Sequence, residues 1–352
     1  MSECFLELED GTRAAGESFG AEASAAGEAV FNTALTGYPE SLTDPSYRGQ
    51  ILVLTYPLAG NYGVPDSARD ARGLLEFFES EKIHVAGLVV SDYSAAYSHW
   101  NARKSLGQWL KEHNIPGLCG VDTRALTRLI REKGAMLGKL VCAGDVAFRD
   151  PNKDNLAAEV SVKERVVYGN GRRKIALIDC GVKNNIIRCL LKYDATVIRV
   201  PWDWDVSKEN YDGLFISNGP GDPRQCGKTI ENIAKALQKD KPVFGICLGN
   251  QLMALAAGAQ TYKLKYGHRS HNQPALEAGT SRAYITSQNH GFAVDDKTLG
   301  PDWKPLFINL NDGTNEGIIH RKKPFFSAQF HPEASGGPSD TKFLFDRFME
   351  KL

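Results

Sequence analysis

Cys247 lies between two glycines in the run Gly245-Ile246-Cys247-Leu248-Gly249-Asn250-Gln251. The apolar residues 242–246 read as a buried strand, and residues 251–257 read as a helix. A G-x-C-x-G between strand and helix is the thiol version of a nucleophile elbow, a turn tight enough to push its central side chain out of the sheet edge. The sulfur then sits at a helix N-terminus, where free N–H groups and the helix dipole favour thiolate over thiol. Cysteine is often plain core, and that is the competing reading for any strand-end cysteine. The paired glycines and the change of element favour a nucleophile.

A thiol nucleophile needs a base, and the base needs an orienting group. Residues 324–330 read as a strand that ends directly in His331-Pro332-Glu333. That pair suits a Cys–His–Glu relay in which Cys247 attacks, His331 carries the proton and Glu333 fixes the imidazole tautomer. A third segment, Asn218-Gly219-Pro220-Gly221-Asp222-Pro223, also follows an apolar run. Taken alone it is a turn.

The elements around these residues fall into two patterns. From residue 174 onward, strands at 175–179, 196–200 and 213–217 alternate with helices at 185–192 and 229–238. Such alternation predicts a doubly wound, mainly parallel sheet with helices on both faces, whose site lies beyond the strand C-termini. Residues 1–146 combine strands at 4–8 and 50–56 with helical patterns at 68–81, 104–111 and 122–133, without regular alternation. They are expected to form a mixed α+β domain. A polar stretch over 147–172 is expected to link it to the second domain, 173–352.

Composition narrows the class. The 352 residues carry 42 basic and 42 acidic side chains, so no net field points to nucleic acid or a membrane surface. No apolar run is long enough to span a bilayer, and the acidic start reads as neither signal nor transit peptide. Seven cysteines without metal-ligand spacing argue against a disulfide framework and for a reducing, cytoplasmic setting. Cys4, Cys119, Cys142, Cys180 and Cys189 read as core, and Cys226 as a small neighbour of the Gly-Pro-Gly loop. The basic segment 265–271, with His268 and His271, reads as a solvated loop.

Together, Gly-Ile-Cys-Leu-Gly-Asn-Gln, Gln-Phe-His-Pro-Glu-Ala and Ser-Asn-Gly-Pro-Gly-Asp-Pro resemble the class I, or triad, glutamine amidotransferases over residues 174–352. In the first half, residues 36–47, Leu54-Thr55-Tyr56-Pro57, Gly60-Asn61-Tyr62-Gly63 and 121–127 resemble the small subunits of carbamoyl phosphate synthetases. The resemblance implies a glutamyl thioester on Cys247 and release of ammonia. It implies an oxyanion hole from the backbone N–H groups of Gly221 and Leu248. It implies glutamine contacts from Ser46, Gly219, Gly221, Gln251, Asn289, Gly291 and Phe292. No Walker-type loop is present. The resemblance implies ATP, a divalent metal and bicarbonate chemistry in a large synthetase partner, for arginine or pyrimidine synthesis, and no cofactor in this chain.

Two other readings stand beside it. A thiol hydrolase of the α/β-hydrolase type would need its acid before the histidine in chain order, whereas Glu333 follows His331. A non-catalytic partner that keeps the fold only for assembly would have no need of Cys247 and His331.

Overall fold

The computed structural model describes residues 4–352, and the first three residues of the acidic N-terminal segment lie outside them. By their contacts the described residues divide into two units, 4–154 and 155–352.

In the first unit a closed barrel of seven strands is built from local alternation. Cys4–Leu8 buries every second side chain, as a half-exposed strand must. Around the barrel the order runs Cys4–Leu8, Met136–Val141, Ala25–Asn32, Gln50–Leu54, Gly87–Val89, Gly117–Cys119 and Arg13–Ser18. Val30, Leu52, Leu88 and Leu110 are fully buried in one apolar cluster with Tyr38 and Tyr47. Helix Thr123–Lys133 starts where Asp122 accepts a hydrogen bond from the Ala125 N–H, a side-chain N-cap. Helix Leu106–Glu112 is capped by Ser105 in the same way.

Three expectations for this unit change. Residues 68–81 are not helical: Asp70 accepts from the Arg72 and Leu74 N–H groups, and Gly73 at φ +80° turns the chain back so that Arg69 bridges Leu75. A side chain that caps a turn from within outcompetes a weak helical pattern. Cys4 and Cys142 are a disulfide, not separate core residues. The register that pairs Phe5 with Val141 sets the two cysteines opposite each other on neighbouring strands. Cys119 is only half-buried.

The second unit holds a ten-stranded sheet. Five strands are mutually parallel and adjacent, in the order Ala195–Pro201, Arg173–Asp179, Gly213–Ile216, Val243–Ile246 and Phe325–Ala328. The strands beyond them pair antiparallel, among them the long hairpin Thr261–Glu277 with Ala283–Val294. The sheet is therefore parallel at its centre and antiparallel on both flanks. Strand Val166–Tyr168, from the stretch expected to be a linker, pairs with Ala195–Pro201 at one edge.

The central strands are apolar on both faces because both are covered. On one side Phe215, Phe244 and Phe326 pack with Phe345 and Phe348 of helix Phe343–Met349. On the other, Ile216 and Ile178 pack with Leu248, Leu252 and Met253 of helix Leu248–Ala256. Each such fully buried side chain contributes about 1.5–3 kcal/mol over its exposed state. Parallel register sets Ile246 beside Ala328, so the residues just after both strands emerge at one edge.

Candidate active site

Cys247 occupies that edge. Its backbone has φ 54° and ψ −105°, a conformation that costs a non-glycine residue about 1–3 kcal/mol. The geometry is held by packing. A Cβ on Gly245 would lie 2.6 Å from the Gly249 carbonyl, and one on Gly249 would lie 2.2 Å from the Ile216 carbonyl. Only glycine lets strand, turn and helix approach this closely. The Cys247 N–H donates to the Ala328 carbonyl at 2.8 Å, which ties the elbow to the strand leading to His331. The thiol, 2% exposed, points at the Asn289 carbonyl 3.7 Å away. Leu248 and Gly249 open the helix, and the first N–H groups of a helix have no partner within it.

His331 and Glu333 come together as the sequence predicts. His331 Nδ1 lies 2.7 Å from Glu333 Oε1, with both residues buried. A carboxylate at Nδ1 keeps a proton there and leaves Nε2 as the nitrogen that exchanges a proton with its surroundings. Nε2 has no hydrogen-bond partner among the described residues, and the Cys247 thiol is among the groups acting on the ring. Burial alone would lower the affinity of His331 for a proton. The Glu333 carboxylate outweighs burial and holds the imidazole above its ordinary range. Burial would likewise raise Glu333, but Lys183 first and His331 second hold it below the ordinary carboxylate range.

Lys183 is the residue that sequence reading missed. It is 5% exposed, and its Nζ donates to Glu333 Oε1 at 2.9 Å and to the Ala334 carbonyl at 3.0 Å. One carboxylate oxygen thus receives both cation and imidazole, so the Glu333 side chain has little freedom to swing. Asn185 adds a 2.6 Å bond to the Glu333 carbonyl. Nothing in the local pattern around Lys183 marks it, since a lysine after a strand is ordinarily solvated.

The remaining predicted residues divide by unit. Gly219 abuts the elbow: a Cβ there would lie 2.1 Å from the Cys180 carbonyl and 2.8 Å from the Leu248 side chain. Gly221 takes φ +83°, the left-handed conformation that lets its peptide turn where other residues would strain. Gln251 spends both amide protons inside the unit, on the Phe292 carbonyl at 2.8 Å and on Gln329 Oε1 at 3.1 Å. It therefore fixes the Asn289-His290-Gly291-Phe292 segment and keeps only its carbonyl oxygen as a further acceptor. Asn289 and Phe292 are both buried in that segment, with Gly291 between them. Ser46 belongs to the other unit, in a 3₁₀ turn over Pro45–Tyr47 capped by Asp44. Segment 265–271 is a correction: it lies within strand Thr261–Glu277, and His268, Arg269 and Ser270 are buried. Those three polar side chains are buried within the sheet while Lys265 stays exposed, a burial that alternation without an apolar partner does not reveal.

Residues 176–351 match the family described as glutamine amidotransferase class-I, which defines the class of the second unit. Residues 6–140 match the carbamoyl-phosphate synthase small chain, CPSase domain. Whole-chain relatives agree. The arginine-specific small chain of carbamoyl phosphate synthase from Neurospora crassa is 52% identical over 362 residues, covering 100% of this chain and 80% of its own. The multifunctional protein CAD of Squalus acanthias is 56% identical across 98% of this chain. The mitochondrial carbamoyl-phosphate synthase [ammonia] of Aquarana catesbeiana is 55% identical across 99%. This chain belongs to the carbamoyl-phosphate synthase small chain family. It spans 16% of the length of the CAD relative and 24% of that of the frog enzyme.

Proposed function

We propose that this chain hydrolyses glutamine and passes the ammonia to a carbamoyl-phosphate-forming partner subunit or domain. The observation that carries the reading is the buried His331–Glu333 pair with an unengaged Nε2, in the same unit as a thiol held on a strained elbow. His331 Nε2 takes the Cys247 proton as the sulfur attacks the side-chain amide carbon of glutamine. The resulting oxyanion is received by the N–H groups of Gly221 and Leu248, each worth about 10²–10³ in rate in comparable sites. Collapse breaks the C–N bond, His331 returns its proton to the leaving nitrogen, and ammonia departs. Water, deprotonated by His331, then attacks the thioester carbon and releases glutamate and the thiol. Gly219, Gln251, Asn289, Gly291 and Phe292 hold the substrate.

Kinship does not decide the nitrogen source, because one relative is named for ammonia and others for an arginine-specific small chain or a multifunctional protein. An intact thiol, base and orienting carboxylate support glutamine. With ATP and bicarbonate chemistry assigned to the partner, this chain needs no cofactor for the amidase step. The test is His331→Asn in the assembled complex. Glutamine-dependent synthesis should fall by at least about a thousandfold, while synthesis from added ammonium is retained. Parallel loss of both would give His331 a structural role and overturn the assignment.

A further inference from the structure

Behind the Asn289–Phe292 segment, side chains from several strands converge on one oxygen. His268 Nδ1 and His290 Nε2 each lie 3.0 Å from Gln288 Oε1. Glu316 Oε1 lies 3.4 Å from His268 Nδ1. The ligating atoms of His268, His290 and Glu316 all fall within 4.8 Å of one another, and all three residues are buried. Gln288, at 2% exposure, is buried with them.

The protons do not close this network. His290 Nδ1 is 2.8 Å from the Phe292 carbonyl, an acceptor, so Nδ1 carries the ring proton and Nε2 presents a lone pair. That lone pair faces the Gln288 oxygen, which is also an acceptor. Flipping the amide does not help. Gln288 Nε2 donates to Thr286 Oγ1 at 3.0 Å, and Thr286 in turn donates to the Gln273 carbonyl at 2.8 Å. A flipped amide would set oxygen against the Thr286 oxygen instead. A proton on His268 Nδ1 satisfies Gln288 from one side only and leaves the His290 lone pair unmatched. Glu316 adds a further orphan: Oε1 accepts from Asn309 at 2.8 Å, but Oε2 has no partner among the described residues although the residue is fully buried. Unmatched lone pairs converging among buried side chains are costly, and a cation removes the cost.

We propose that His268 Nδ1, His290 Nε2, Gln288 Oε1 and Glu316 bind a first-row divalent cation, zinc above all. Tetrahedral zinc with bonds of about 2.0–2.1 Å has ligand–ligand edges of about 3.3–3.4 Å. The observed separations of 3.0, 3.0 and 3.4 Å lie near those edges. Two imidazoles and one carboxylate form a zinc-type donor set. The outer partners are those of ligating histidines. His268 Nε2 lies 2.8 Å from Asp312 Oδ2, and His290 Nδ1 is held by a backbone carbonyl, so each ring turns its free nitrogen inward. No metal-ligand spacing shows in the sequence, because the hairpin and strand Asn315–His320 supply the ligands separately. The ion would clasp the hairpin that carries Asn289 and Phe292, and takes no part in the amidase chemistry itself.

The test uses the full chain. Elemental analysis after dialysis should find about one zinc per chain, and cobalt added to chelator-stripped protein should give the visible bands of a tetrahedral ion. Glu316→Gln should abolish those bands. Asp312→Asn alters only an outer partner at the surface, so it should keep the fold and weaken cobalt binding about 10–100-fold. Cys247→Ser should leave the bands unchanged. Wild-type chain that neither retains zinc nor develops the cobalt bands overturns the proposal. So do bands that vanish in Cys247→Ser yet persist in Glu316→Gln, which would place the metal on the catalytic thiol.

Discussion

At the scale of single residues, the site depends on one carboxylate held from two sides. Glu333 Oε1 receives Lys183 and His331 together, in a place without solvent to screen either charge. Removing one member of a buried ion pair leaves the other charge uncompensated, at a cost of about 3–5 kcal/mol. Lys183→Met should therefore lower the urea midpoint markedly. It should also reduce kcat for glutamine hydrolysis more than it raises KM, because Glu333 loses orientation while the substrate contacts stay in place. An unchanged kcat in a folded variant would contradict this role. His84 makes the opposite case in the first unit. Burial, reinforced by Lys82 and Arg48, pushes its ring down to about 3, and Nε2 sits 3.0 Å from Ser80 Oγ. A histidine with a depressed folded value contributes stability above its unfolded value near 6.5, and loses it as pH falls toward 3. Unfolding free energies from urea titrations between pH 6.5 and pH 4 should decline by up to about 1.4 kcal/mol per pH unit from this group. In His84→Gln that part of the slope should be absent.

At the scale of elements, the elbow is a packing arrangement before it is a catalytic one. Gly249→Ala would drive a methyl to 2.2 Å from the Ile216 carbonyl, a backbone atom that cannot rotate away. A destabilisation of at least about 1–3 kcal/mol is expected, read as a lower denaturant midpoint together with loss of Cys247 alkylation. A variant of native stability would mean that strand and helix separate more easily than the geometry indicates. The same element shows what the sequence makes legible. Apolar runs such as Val243–Ile246 and Phe325–Ala328, each ending in a distinctive residue, declare buried parallel strands because both of their faces must be covered. The positions of Cys247, His331 and Glu333 beyond strand ends were legible for that reason. Residues 261–277 were not. Their strand is polar, bulged between Lys263 and His268 and again between Ser270 and Gln273, and its buried face meets other polar side chains. Periodicity reports burial against apolar partners, so a buried polar face passes for a loop. The 68–81 segment failed for the opposite reason: its spacing fitted a helix, while Asp70 and Gly73 had already committed it to a turn.

At the scale of the whole chain, the two units match two family models in the same order, 6–140 and 176–351. Among the described residues no helix is long and apolar enough to cross a membrane. Equal numbers of acidic and basic side chains leave no net charge to recruit a polyanion, so partner choice rests on local surfaces rather than on a global field. The proposed amidase step depends on Cys247 being the residue that meets the glutamine amide carbon. The direct measurement is labelling of the chain, assembled with the proposed synthetase partner, by a glutamine-like diazo-ketone, followed by peptide mapping. One adduct on Cys247, protection by glutamine, and no adduct in a folded Cys247→Ala variant are expected. A folded, assembled wild-type chain that stays unlabelled, or that is labelled at another cysteine, would contradict it.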